Sequence, residues 1–370
     1  MSFRLAFFCT ALTAAGCSVY DPTLVPRDGG GMDAGDSASS CPPLATPPTR
    51  PSQMDDGTTE VVFALRNITL NQDGERWRTI GYDLDGLCSG TPDGPIECEP
   101  MSSAATSTQD GEHGVDNAFG HSITPLLLVA YPTLEDEARM YESYGLGAII
   151  LRIRDWNGEA EDSHVHATLS QSVYGTPSAD GGVPTPEIPD GGPSYEDGGQ
   201  PPFPTWNGDD YWWLREDSFY DGDPERPVIV DSNAYVSGRT LVMRLPDGRE
   251  INFAGDTRGI NFRLSDARLT AEISTDGSTI SRAVLVGRWA YDDLLSAVQH
   301  AGVCPDNPLY TTLSNLLRTA VDVRAVPGTG GPGIQCDAVS VGIAFDGVSA
   351  HIAGVAPAYP LPEPCAASGM

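Results

Sequence analysis

Lysine is absent: the 21 basic residues of this 370-residue chain are all arginine. That excludes chemistry built on an amine side chain, such as a P-loop lysine, a kinase lysine or a Schiff-base lysine. The chain also lacks Cys-x-x-Cys, His-Glu-x-x-His and Gly-x-Ser-x-Gly, so nothing points to a zinc ribbon, a zincin or a nucleophile elbow. Positive charge is scarce overall, because 51 acidic residues bring the formal net charge to -30. Nucleic acid is thereby excluded as a partner, since its phosphates would be repelled. Beyond residue 17 no apolar run approaches the ~18 residues that a membrane-spanning helix needs.

What the chain does have begins at its start. Met1-Ser2-Phe3-Arg4 precedes an apolar stretch from Leu5 to Ala15 that ends in small residues, the layout of a secretory signal. Leu12-Thr13-Ala14-Ala15-Gly16-Cys17 resembles the lipobox of bacterial lipoproteins. The resemblance implies that residues 1–16 are removed and that Cys17 carries a diacylglycerol thioether. Acyl chains contribute about 0.8 kcal/mol per buried methylene, enough in combination to hold a protein at a membrane. Ser18 after the cysteine implies, by the same resemblance, the outer membrane.

Residues 17–57 are rich in Asp, Gly, Pro, Ser and Thr, which predicts a disordered tether. Residues 58–370 are then the globular part, with a Pro/Gly/Asp-rich insertion at 176–204. Leader, tether and the segment Ile80-Gly81-Tyr82-Asp83-Leu84-Asp85-Gly86 together resemble the Asp/Gly-rich envelope lipoproteins of Gram-negative bacteria, a resemblance of architecture that carries no activity with it.

Apart from Cys9 and Cys17, six cysteines remain, an even number that predicts disulfides in an exported protein. Sequence proximity favours Cys88 with Cys98 and Cys304 with Cys336, which leaves Cys41 for Cys365. The predicted fold is mainly β, an antiparallel β-sandwich of jelly-roll or lectin-like type. Ile149, Leu151 and Ile153 alternate with Ile150, Arg152 and Arg154, as Val165, Ala167 and Leu169 do with His164, His166 and Thr168. Asp247-Gly248, Asp276-Gly277 and Asp346-Gly347 read as three hairpin turns. A two-helix excursion is expected near 290–320, from Tyr291 to His300 and, capped by Asn307, from Pro308 to Ala320, with a shorter helix from Leu134 to Tyr144.

Asp83, Asp85, Asp110 and Asp116 lie in glycine-bent segments. Calcium takes six to eight oxygens from such loops, so these four are the candidate metal ligands and calcium the candidate cofactor, although the EF-hand spacing fails. Trp206, Trp212 and Trp213 beside acidic residues are candidate stacking surfaces for a sugar; otherwise they are core. His164 and His166 share a strand face. No residue is nominated as catalytic. The leading expectation is a membrane-anchored binding or adhesion module that contacts a glycan or an envelope protein. The alternatives are a secreted polysaccharide hydrolase using paired carboxylates and a structural envelope protein with no small ligand.

Overall fold

The computed structural model describes residues 43–52, 57–89, 94–102, 109–130, 132–179, 202–253, 260–358 and 365. The leader, Cys17, Cys41 and residues 180–201 of the insertion lie outside the described residues. Among the described residues eleven strands occur in chain order: β1 (Thr59–Thr69), β2 (Ile149–Trp156), β3 (Asp162–Thr176), β4 (Tyr211–Arg215), β5 (Ile229–Ser237), β6 (Thr240–Arg244), β7 (Glu250–Phe253), β8 (Ile260–Ile273), β9 (Thr279–Ala290), β10 (Ala338–Ser349) and β11 (His351–Ala356). The helices are α1 (Thr124–Ala130), α2 (Leu134–Ser143), α3 (Tyr291–His300) and α4 (Pro308–Arg318).

Eight strands pair antiparallel in the order β1-β2-β3-β5-β6-β8-β9-β10, and β10 pairs back onto β1. The sheet is therefore a closed up-and-down barrel, which corrects the expected sandwich. Alternation of apolar and polar residues is common to both architectures. What separates them is the pairing of the first barrel strand with the last, Phe63 opposite Ser349 and Leu65 opposite Gly347. β4 extends β3 outside the barrel and pairs in parallel with β11, while β7 pairs with the first half of β8.

An eight-stranded barrel has an interior that side chains alone can fill. Phe63, Leu151, Val165, Met243, Leu285 and Val341 are among its fully buried residues. Helical segments stop one end. Phe119, at the start of a helical turn that leads into α1, lies 5.5 Å from Phe262, whose ring is 4.4 Å from Trp289. Tyr291, Leu294 and Leu317 of α3 and α4 join the same core. Both helices fall where the sequence placed them, α4 ending at Arg318, and the Asn307 side chain accepts from Leu309 N as the predicted cap. α2 likewise matches its expectation.

Of the three Asp-Gly pairs, one forms a hairpin. Asp276-Gly277 joins β8 to β9, with Gly277 at φ 71°. Asp247-Gly248 makes a turn between β6 and β7, strands that pair with β8 and not with each other. Asp346-Gly347 sits inside β10 at a register shift, where Asp346 binds Arg66 of β1 at 2.8 Å.

The barrel wall is buried on both sides over β9 and β10, because described segments between residues 71 and 117, Ile80 and Asn117 among them, pack on its outer surface. Ile80 covers Val284 and Val286 there. Asn117 anchors this layer: its amide donates to Ile80 O and Gln72 Oε1, both at 2.8 Å, and its Oδ1 accepts from Gly342 N at 3.0 Å. Gln72 completes the clamp by donating to Gly342 O. The contact requires glycine, since a Cβ at 342 would sit 2.1 Å from Ile80 O and 2.9 Å from the Asn117 amide. Gly342→Ala is expected to cost about 1–3 kcal/mol through overpacking, measured as a lower urea midpoint with an unchanged slope.

The chain also meets the barrel earlier than the tether boundary predicts. Ala45 N donates to His113 O, and Tyr235 of β5 donates its hydroxyl to Pro48 O at 2.6 Å. The disulfides differ from the pairing that proximity favours: Cys98 is bonded to Cys336 and Cys304 to Cys365. Cys88 is disulfide-bonded too, so Cys88 with Cys98, Cys304 with Cys336 and Cys41 with Cys365 are all replaced. The reason is the outer layer, which brings Cys98 to the start of β10 across 238 residues.

A candidate cation centre on the barrel wall

The outer layer places the predicted acids together. Segments 81–89 and 110–117 run side by side, joined by Asp116 N donating to Tyr82 O and Asp110 N donating to Ser89 O. Gly86, at φ 77°, bends the first segment. Asp83 Oδ1 accepts from Gly86 N and Asp85 Oδ1 from Leu87 N, each at 2.7 Å. Asp116 Oδ2 reaches across to accept from Leu84 N at 2.7 Å, and Ser89 N donates to Asp110. Backbone donors thus orient all four carboxylates.

One carboxylate oxygen from each of Asp83, Asp85 and Asp116 lies within 4.8 Å of the other two. Oxygens on opposite sides of a calcium ion stand about 5 Å apart, since each lies 2.3–2.6 Å from the metal. The spacing therefore suits one ion. Asp83, Asp110 and Asp116 are buried, whereas Asp85 is half-buried and Gly86 exposed, which opens the cluster to solvent on one side.

Electrostatics set the chemistry. Burial, and then the neighbouring carboxylates, push Asp110 up to about 8. Asp85 is raised to about 6 by burial, with Asp83 and Glu97 adding to the shift. Asp116 stands well above the ordinary carboxylate range, for burial first and then the charges of Asp85, Asp110 and Asp322. Burial raises Asp83 as well. Carboxylates this close in a low-dielectric site cannot all ionise without compensation, so the cluster must hold protons or a cation.

Two further residues belong to this neighbourhood and were missed in the sequence. Asp322, raised by burial to about 7, binds Ser340 of β10 through both the backbone N–H and the hydroxyl. Arg288 of β9 is 1% exposed, pairs with Glu97 at 2.7 Å and donates to Leu84 O. Its guanidinium balances part of the charge, and the acids outnumber it. A signal for both was present: Arg288 interrupts the apolar run Val284–Trp289, and Asp322 stands between Val321 and Val323. A charge inside an apolar run is costly to bury without a partner.

The tryptophans are placed elsewhere. Trp212 is completely buried between β4 and the barrel, with Trp206 4.8 Å away and the guanidinium of Arg66 over Trp206. Trp213 is partly buried on the opposite face of β4, against Tyr174 and Gly354. A buried ring offers no stacking face, so Trp212 is core and the other two flank it. His164 is exposed on the outer wall, and His166 lies 3.8 Å from Asp155. Comparison with protein-family models, with curated proteins and with solved structures found no match to this chain.

Proposed function

We propose that the chain is an envelope lipoprotein, anchored at the outer membrane through Cys17, whose barrel is a binding module stapled by one calcium ion at Asp83, Asp85, Asp110 and Asp116. The observation that carries the cation is the convergence of three carboxylate oxygens within 4.8 Å. Backbone N–H groups already orient the acids, so binding orders little that is not ordered beforehand. The cation sits between the outer layer and the wall, and its loss loosens that layer. Export is supported by the leader and by disulfides that persist only in oxidising compartments.

The hydrolase reading is less well supported. Paired catalytic carboxylates need a substrate between them, yet Asp110 and Asp116 are 7% and 4% exposed. Carboxylates this buried offer a sugar ring no open surface between them.

Equilibrium dialysis against radioactive calcium tests the proposal. The wild type should retain one ion per chain, and Asp85→Asn and Asp116→Asn should each bind at least tenfold more weakly. Asp85 is the safer position, being half-buried. No retention at millimolar calcium, or equal retention by a folded Asp85→Asn variant, would remove the site.

A further inference from the structure

The two ends of the barrel are unlike. Short turns join β2 to β3, β5 to β6 and β8 to β9 at one end, whereas α1 and α2, β4, β7 and the α3–α4 pair all emerge at the other. Between the β4 and β7 excursions lies a cleft of about 310 Å³, away from the acidic cluster. Leu169, Ile229 and Ile251 give it an apolar lining, and Arg215, Arg249 and Asn261 line it as well.

These polar groups are not spent on one another. Asn261 is 8% exposed and its Oδ1 has no hydrogen-bond donor, an unfavourable state for a buried acceptor. Arg215 is 4% exposed and gives Nε and Nη2 to Asp217. Arg249 donates to the Tyr220 hydroxyl at 2.8 Å and makes no ion pair among the described residues. The third arginine, Arg263, is paired with Glu250 at 2.7 Å. In a chain of net charge -30, three of the 21 arginines meet at one barrel mouth. Barrel mouths with an apolar lining and a few convergent polar groups are where small ligands bind.

We propose that this cleft binds a small organic anion. The acid group pairs with Arg249 at the rim, with the Arg215 guanidinium behind it. The apolar body lies against Leu169, Ile229 and Ile251, and a hydroxyl or N–H of the ligand donates to Asn261 Oδ1. The site goes beyond the cation centre and does not depend on it, so it supplies the binding module with a ligand of stated chemistry whether or not calcium binds.

The probe is 8-anilinonaphthalene-1-sulfonate, a sulfonate on an apolar body, titrated into the purified full-length protein in calcium and again in chelator. One saturable site is expected in both, displaced by octanoate and not by octan-1-ol at the same concentration. Arg249→Glu, a rim substitution, should weaken it at least tenfold while the melting temperature stays unchanged. Ile251→Trp, which fills the cleft, should weaken it as well. Non-saturable fluorescence, equal displacement by the alcohol, or wild-type binding by a natively folded Arg249→Glu overturns the proposal. So does binding seen only in chelator, because a loosened core also takes up this dye. A cation centre that fails in dialysis leaves all of these readouts in place.

Discussion

Calcium at a thousand times its dissociation constant should raise the melting temperature by about 10 °C over the chelated protein. A ligand bound only by the native state contributes about 4 kcal/mol at that ratio, and each kcal/mol moves the transition by about 2–4 °C in a large domain. The pH dependence gives the sharper signature. In chelator, Asp85, Asp322 and Asp110 have folded values of about 6, 7 and 8, against about 3.9 for an unfolded aspartate. Between those limits the native state binds more protons than the unfolded one, so stability falls as pH rises from about 4 to about 8. Calcium needs the same groups ionised, so its stabilisation must grow over that range. Melting curves with and without calcium should therefore diverge from pH 5 to pH 8. The general self-repulsion of so acidic a chain also weakens it as pH rises, but it acts on both curves. Parallel curves, or divergence that survives in Asp85→Asn, would contradict the cation centre.

The second large effect is expected from Cys98→Ala/Cys336→Ala. This bond closes a loop of 238 residues, and loss of a native disulfide typically costs about 2–5 kcal/mol. It also pins the segment that carries Glu97 and Glu99, whose backbones bind Gly331, Ile334 and Cys336. Because that segment positions Arg288 through Glu97, the double variant should bind calcium more weakly as well as unfold at lower denaturant. A variant with wild-type calcium affinity would separate the staple from the site. Reduction of the native protein should reproduce the variant's phenotype, measured by the same denaturant titration.

Much of this structure is legible in the residues, and the losses have physical causes. β2, β3, β10 and the four-residue spacing of leucines in α4 are visible because each element has one face that must be buried. The closure of the barrel is not, because nothing local distinguishes a strand that meets its sequence neighbour from one that also meets the far end of the chain. Proximity misled the disulfide pairing for the same reason: Cys88 and Cys98 are neighbours in sequence, yet Cys98 lies against β10. Asp346-Gly347 follows the alternating Val339, Val341, Ile343 and Phe345 and still lies inside a strand, where Arg66 holds the aspartate. Asp83, Asp85 and Asp116 were nominated by their oxygen chemistry and the glycines beside them, and the fold does gather them. Arg288 comes from β9 and Asp322 from the stretch between α4 and β10, both far along the chain from residues 83–116, and only the assembled outer layer brings them to the cluster.

Calorimetric titration of calcium into the chelated, dialysed protein at pH 7, in two buffers of different ionisation enthalpy, tests the cation centre most directly. The raised carboxylates hold protons that calcium must displace, so one ion should bind with release of at least one proton, and Asp116→Asn should show neither heat nor release. No binding to a protein that melts cooperatively would mean that protons alone balance the cluster, and binding without proton release would mean that the carboxylates hold none; either result contradicts the account.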